Sequence, residues 1–163
     1  MSSAVERFVN VAREFTSWCR SSAGPDAVAN ARTALIHLVN LYRAGLSLPM
    51  DPPCGEDGTR PVIEHLPDAR STVLEHFRSL PFQYYSEVYN PQPVGSEEPV
   101  VGDIRDDLLD IYVDVAKGLA IHDHGDIENA DWEWQFSFKT HWGAHAVSAI
   151  RVLHCWLEDQ HVL

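Results

Sequence analysis

Trp132-Glu133-Trp134-Gln135-Phe136-Ser137-Phe138-Lys139-Thr140-His141-Trp142-Gly143-Ala144-His145 decides the fold, and it reads in two ways. Trp132, Trp134, Phe136 and Phe138 alternate with polar residues, which is the period of a strand. Carried on through Trp156-Leu157, the same stretch has helical spacing: Trp134, Phe138, His141, His145, Ala149, Val152 and Trp156 share one face. Trp132, Phe136, Val147, Ile150 and Leu157 share the opposite face. A helix apolar on two faces is buried on most sides. The reading adopted is one central helix over 128–159, roughly 45–50 Å long at 1.5 Å per residue. Ser137, Thr140, Ala144 and Ser148 add a stripe of small side chains that lets a neighbouring helix approach closely.

Upstream, four more helices are predicted. Val5, Phe8, Val9, Ala12, Phe15 and Cys19 place one over 4–22. Gly24-Pro25-Asp26 breaks it and starts a second, which runs to about residue 44, with Gly45 as its stop. Residues 47–66 form a Pro/Gly-rich loop. Asp68 caps a third helix carrying Val73, Leu74, Phe77 and Leu80, ended by Pro81. Residues 82–90 are aromatic and fit a short strand, a helical turn or an irregular packed segment. Pro99 opens a fourth helix, with Val101, Ile104, Leu108, Ile111, Val115 and Leu119 on its apolar stripe, to about His122. The expectation is an all-α, single-domain bundle of about five helices spanning 1–163.

Composition narrows the function classes. The 163 residues carry 24 acidic and 12 basic side chains, a formal charge of −12, which argues against nucleic acid as a partner. Apolar residues at 45% are too many for a disordered acidic tail. No apolar run reaches the length of a membrane span. The N-terminus lacks the basic and apolar regions of a secretory signal. Cys19, Cys54 and Cys155 are odd in number and far apart, which fits a reducing cytoplasm; Cys19 and Cys155 are expected to pack as small hydrophobes.

Three segments carry a family likeness: Leu80-Pro81-Phe82 with Tyr84-Tyr85; Val101-Gly102-Asp103-Ile104 with Asp106-Asp107-Leu108 and Asp110-Ile111-Tyr112; and the Trp132–Trp142 run with Gly143, His145-Ala146 and Leu153-His154. Together they resemble the bacterial domain-of-unknown-function family 5063, well over residues 65–158 and loosely over the first helices. The resemblance implies a small cytoplasmic bacterial protein. It brings no assigned reaction and no catalytic residues.

Two features can carry chemistry. On the fourth helix Asp103, Asp107, Asp110 and Asp114 fall within about 60° of one another. Like charges four apart are mutually unfavourable, so a basic residue, a cation or a basic partner must compensate. On the last helix His141 and His145 project from one face with a spacing that can chelate a metal. If the two helices pack antiparallel, these histidines face Asp107 and Asp110, as in metal sites built inside bundles. Glu133 points about 100° away and is discounted. The loop His122-Asp123-His124-Gly125-Asp126 is rich in metal-capable side chains, but helix capping by Asp126 explains it better.

Three functions follow as expectations. The first is a protein-binding or regulatory role, including toxin neutralisation, with the acidic surface docking a basic protein partner. The second is a divalent-metal hydrolase with its site between the last two helices, the only cofactor then expected. The third is a small-ligand pocket lined by Tyr84, Tyr85, Trp134 and His141. The sequence leaves open whether the chain is an enzyme, and its oligomeric state.

Overall fold

The computed structural model describes residues 3–49 and 69–163. Asp26 ends the first inter-helix link by accepting from the Ala29 amide at 2.8 Å. That cap separates α1 (Ser3–Cys19) from α2 (Ala27–Leu46), because it satisfies one of the donors a helix start leaves free. α3 (Arg70–Phe77) is a short helix whose N-cap is Ala69. Asp68, expected to cap it, lies outside the described residues, as do Cys54 and most of the expected 47–66 loop.

The aromatic stretch whose form the sequence left open holds a four-residue strand. β1 (Tyr84–Glu87) pairs antiparallel with β2 (Val100–Asp103), Tyr84 opposite Asp103 and Tyr85 opposite Gly102. The fourth helix therefore starts later than Pro99. α4 (Ile104–Asp123) begins directly after β2, capped by Asp103, and Val101 is strongly exposed on the ribbon rather than part of the helix stripe.

The tryptophan-rich stretch is helical, but not as one uniform helix. α5 (Ile127–Ser137) passes through a π-helical turn at Phe138–Trp142 into α6 (Gly143–Asp159). Counting that rod once gives five helical segments among the described residues, so the mostly helical bundle expected from periodicity is the fold. The rod is not buried all round: Phe136 and Val147 are exposed, and one side of it faces solvent. α4 packs against both halves of the rod, α2 against α6, and α1 against α2 and α4.

The core lies where these faces meet. Phe8 of α1 packs on Trp134 with ring centroids 4.9 Å apart, and Trp142 packs on Phe138 at 4.7 Å. Phe8, Trp134, Trp142, Leu38, Leu108 and Leu153 are fully buried, each contributing roughly 1.5–3 kcal/mol of apolar burial. Gly45, expected to stop α2, sits inside it instead. A Cβ there would stand 2.9 Å from the Trp142 ring and 3.0 Å from Phe138, so the glycine is needed for close approach of α2 to the rod. Cys155 is exposed, contrary to its expected burial, whereas Cys19 is buried. Among the described residues no helix is long and apolar enough to cross a membrane.

Candidate metal centre

α4 supplies carboxylates and the rod supplies imidazoles, and both are fixed from outside the helices. Asp103 holds the start of α4: its Oδ1 accepts from the Arg105 amide at 2.9 Å and its Oδ2 from the Gln83 side-chain amide at 2.8 Å. That occupation corrects the expectation that Asp103 belongs to the acidic stripe. It is a cap at a strand end, not a member of the cluster.

The other three aspartates do converge with the histidines. His145 Nδ1 lies 2.7 Å from Asp107 Oδ1, and His141 Nδ1 lies 2.8 Å from Asp114 Oδ2. An ionised carboxylate only accepts, so each Nδ1 carries the proton in these bonds. In the neutral imidazole this leaves Nε2 with the free lone pair. Both Nε2 atoms then face one carboxylate oxygen, Asp110 Oδ2, at 3.7 Å from His145 and 3.9 Å from His141. One ligand atom from each of Asp110, His141 and His145 lies within 4.8 Å of the others.

Asp107 is buried, and both of its oxygens are used. Oδ1 holds His145, and Oδ2 accepts from the Tyr85 hydroxyl at 2.6 Å. Tyr85 reaches it because its ring lies over Gly102, its strand partner, where a Cβ would strike the phenol. Burial, and then the bond to Asp107, push the Tyr85 phenol up, so it stays a donor. The bond from Asp107 raises the His145 pKa above the ordinary 6.5 against the opposing effect of burial, with Asp107, Asp110 and Asp106 charges adding to it. Asp107 and Asp114 thus stand behind the imidazoles as orienting groups, while Asp110 stands in front of them.

The donor set suits a borderline divalent ion. Two imidazole nitrogens and one carboxylate oxygen are ligands of zinc, manganese or iron(II), with coordination positions left open. Bonds of about 2.0–2.2 Å in a tetrahedral array put ligand atoms about 3.3–3.6 Å apart. The 3.7 and 3.9 Å separations from Asp110 need a few tenths of an ångström of closure, and the full spread of the three ligand atoms, within 4.8 Å, needs more than an ångström at its widest. His141 is 47% exposed at its side chain and His145 28%, so the open side faces solvent.

The remaining expectations resolve differently. Trp134 is fully buried and donates Nε1–H to the Val115 carbonyl at 3.2 Å, while Tyr84 is 64% exposed on the ribbon. They do not line one pocket with Tyr85 and His141, because Trp134 is core and Tyr84 faces out. Glu133 is held by Lys117 at 2.7 Å. In the His122–Asp126 loop the polar groups do not converge on one point, although His122 Nδ1 lies 3.3 Å from Asp123 Oδ1. Asp123 pairs with Arg13, His124 bonds the Ala120 carbonyl, and Asp126 caps α5. Sequence reading missed Tyr85 as the anchor of Asp107, because a contact across 22 residues between a strand and a helix leaves no periodic signal.

Comparison with curated proteins gives no match. Among solved structures the chain is similar in fold to protein BF1032 from Bacteroides fragilis, a crystal structure, with a TM-score of 0.74 over 94% of this chain and 91% of that one, at 22% identity. That identity establishes a shared architecture and nothing about chemistry. The family model described as a domain of unknown function, DUF5063, matches residues 1–158, and the chain belongs to that family.

Proposed function

We propose that the protein is a divalent-metal-binding protein in which His141, His145 and Asp110 hold the ion and its open positions activate water for hydrolysis. One observation carries this reading. Both Nδ1 atoms are already bonded to carboxylates, so both Nε2 atoms are turned towards a third carboxylate. A register-fixing polar network does not need that last convergence; a metal site does. A metal-bound water is a nucleophile near neutral pH, which makes hydrolysis the chemistry such an open site supports.

The acidic-docking reading rests on the net charge of −12, but Asp107 and Asp114 are engaged by histidines, and Asp107 is buried. That leaves the stripe with little to offer a basic partner, so the metal reading is preferred. A cytoplasmic location accompanies it as part of the same proposal. The test is metal analysis and calorimetric titration of protein purified without an affinity tag. One equivalent of zinc, manganese or iron is expected, lost in Asp110→Ala and in His145→Ala. Protein that comes without metal and shows neither heat nor thermal shift on adding those ions overturns the proposal.

A further inference from the structure

On the far side of α4 from the histidines lies a second feature of opposite charge. A groove of about 660 Å³ runs between α1, α4 and the first residue of α3. Its lining includes Arg13, Arg20 and Arg70, with Tyr112 and the Thr16 and Ser17 side chains. On a helical projection Tyr112, Ala116 and Ala120 stand about 200° round α4 from the centre of the Asp107/Asp110/Asp114 stripe. The two features are therefore back to back on one helix.

The charge of this groove runs against that of the chain. Three of only 12 basic residues line it, although the formal net charge is −12. Arg13 is paired with Asp123, Nη2 to Oδ1 at 2.5 Å. Arg20 donates Nε–H to the Thr16 carbonyl at 3.1 Å, which holds the side chain against α1, and its two terminal nitrogens are not used in that bond. No ion pair among the described residues neutralises Arg20 or Arg70. Among the described lining residues, three guanidinium groups against one carboxylate leave two net positive charges. The opposite wall, Val113, Ala116, Leu119 and Ala120, is apolar.

We propose that this groove binds an organic phosphate monoester, its phosphate on Arg20 and Arg70 and its organic body on the α4 wall. A phosphate monoester carries close to two negative charges at neutral pH and presents oxygens that guanidinium groups engage in pairs. The volume lies within the range of small-molecule sites, where an apolar lining with a few convergent polar groups is usual. The site shares no ligating residue with the metal centre and does not rest on it.

Titration of the full-length protein with phenyl phosphate, followed by nuclear magnetic resonance and calorimetry, tests it. Saturable binding is expected, with shifts at the Arg20 and Arg70 Nε–H groups and at Tyr112. Inorganic phosphate should bind at least fivefold more weakly, because it cannot use the apolar wall. Arg70→Ala, at an exposed helix start, and Arg20→Gln should each weaken phenyl phosphate tenfold or more. Arg43→Ala, on another surface, and addition of a chelator to the wild type should leave it unchanged. Absence of saturable binding up to 10 mM, equal affinity for inorganic phosphate, or survival of binding in both groove variants would overturn the proposal. Loss of binding on chelation would move the phosphate to the metal centre and overturn it as well.

Discussion

Asp107→Asn separates the charge behind His145 from the shape that holds it. The asparagine carbonyl can still accept from His145 Nδ1, now 2.7 Å from Asp107 Oδ1, and its amide can turn towards the Tyr85 oxygen at the present 2.6 Å separation. What disappears is the negative charge. Two effects on the metal follow, and they have opposite signs. His145 becomes a weaker base, so Nε2 gives a weaker metal bond; loss of an orienting carboxylate of this kind costs roughly tenfold to a hundredfold in metal affinity, about 1.4–2.7 kcal/mol. Yet the Asp107 bond is also the main cause of the raised His145 pKa. Without it, His145 loses its proton at lower pH, and protons compete less with the metal. The variant should therefore be clearly weaker at pH 8.5, where competition is small, and approach the wild type towards pH 6. Calorimetry of zinc or manganese binding between those limits, with ring titration of His145 by magnetic resonance, reads both effects. Parallel pH curves for the two proteins, or an unmoved His145 titration, would refute the assignment of Asp107 as the orienting carboxylate.

Three further outcomes are expected. Gly118→Ala drives a Cβ into the Trp134 indole, whose Nε1 is tied to Val115 in the core; a loss of about 1–3 kcal/mol or more should lower the melting temperature by at least several degrees in calorimetry, and an unchanged value would contradict the packing. Gly143→Ala sets a Cβ against the Phe138 carbonyl, which accepts from the Gly143 amide across the π turn; metal affinity should fall together with stability, and stability falling alone would separate the turn from the site. In metal-free protein, His145 binds its proton more tightly than an unfolded chain does, so its contribution to stability is complete below about pH 6.5 and is lost as pH rises through the higher native value. His37, with a pKa lowered first by burial, acts with the opposite sign as pH falls, so the His145 share is read as the difference between wild type and His145→Gln in urea unfolding from pH 6 to 9; curves that differ by a constant would refute it.

Much of this was legible in the chain. Helical spacing placed α1 and α2, and Asp126 caps the helix it was expected to cap; Asp26, expected only to start α2, is its N-cap. The meeting of His141 and His145 with Asp107, Asp110 and Asp114 followed from two stripes on adjacent helices, since side chains four apart share a face. Asp103 escaped because strand and helix join without a gap: its position on a helical projection is meaningless one residue before the helix begins. Tyr84 and Trp134 escaped because aromatic composition does not say which way a ring points. The Arg20 and Arg70 groove left no sequence signal, since its residues come from three helices with no shared period.

The π turn explains why the rod read as apolar on two opposite faces. Before it, the buried residues are Ala130, Glu133, Trp134 and Ser137; from its last residue onward, they are Trp142, Gly143, Ala146, Ala149, Leu153 and Leu157. At 100° per residue these two sets differ in phase by about 160°. One inserted residue removes about 100° of that offset, so the buried side continues along the rod with a modest change of direction. A reading that holds the period at 3.6 must instead invent a second apolar face, and then predict burial for Phe136 and Val147, which are exposed. The insertion also falls at the proposed metal centre. His141 lies inside the π turn and His145 one turn beyond it, so the phase change that keeps Trp134 and Trp142 both in the core also sets the direction of both imidazoles towards α4. Replacing the turn by regular α-helix, with all side chains unchanged, would rotate His145 and Leu153 relative to Trp134 together. Core packing and imidazole direction are thus tied to the same inserted residue, which is why Gly143, with no Cβ to crowd the Phe138 carbonyl, is a structural requirement of the site and not only of the fold.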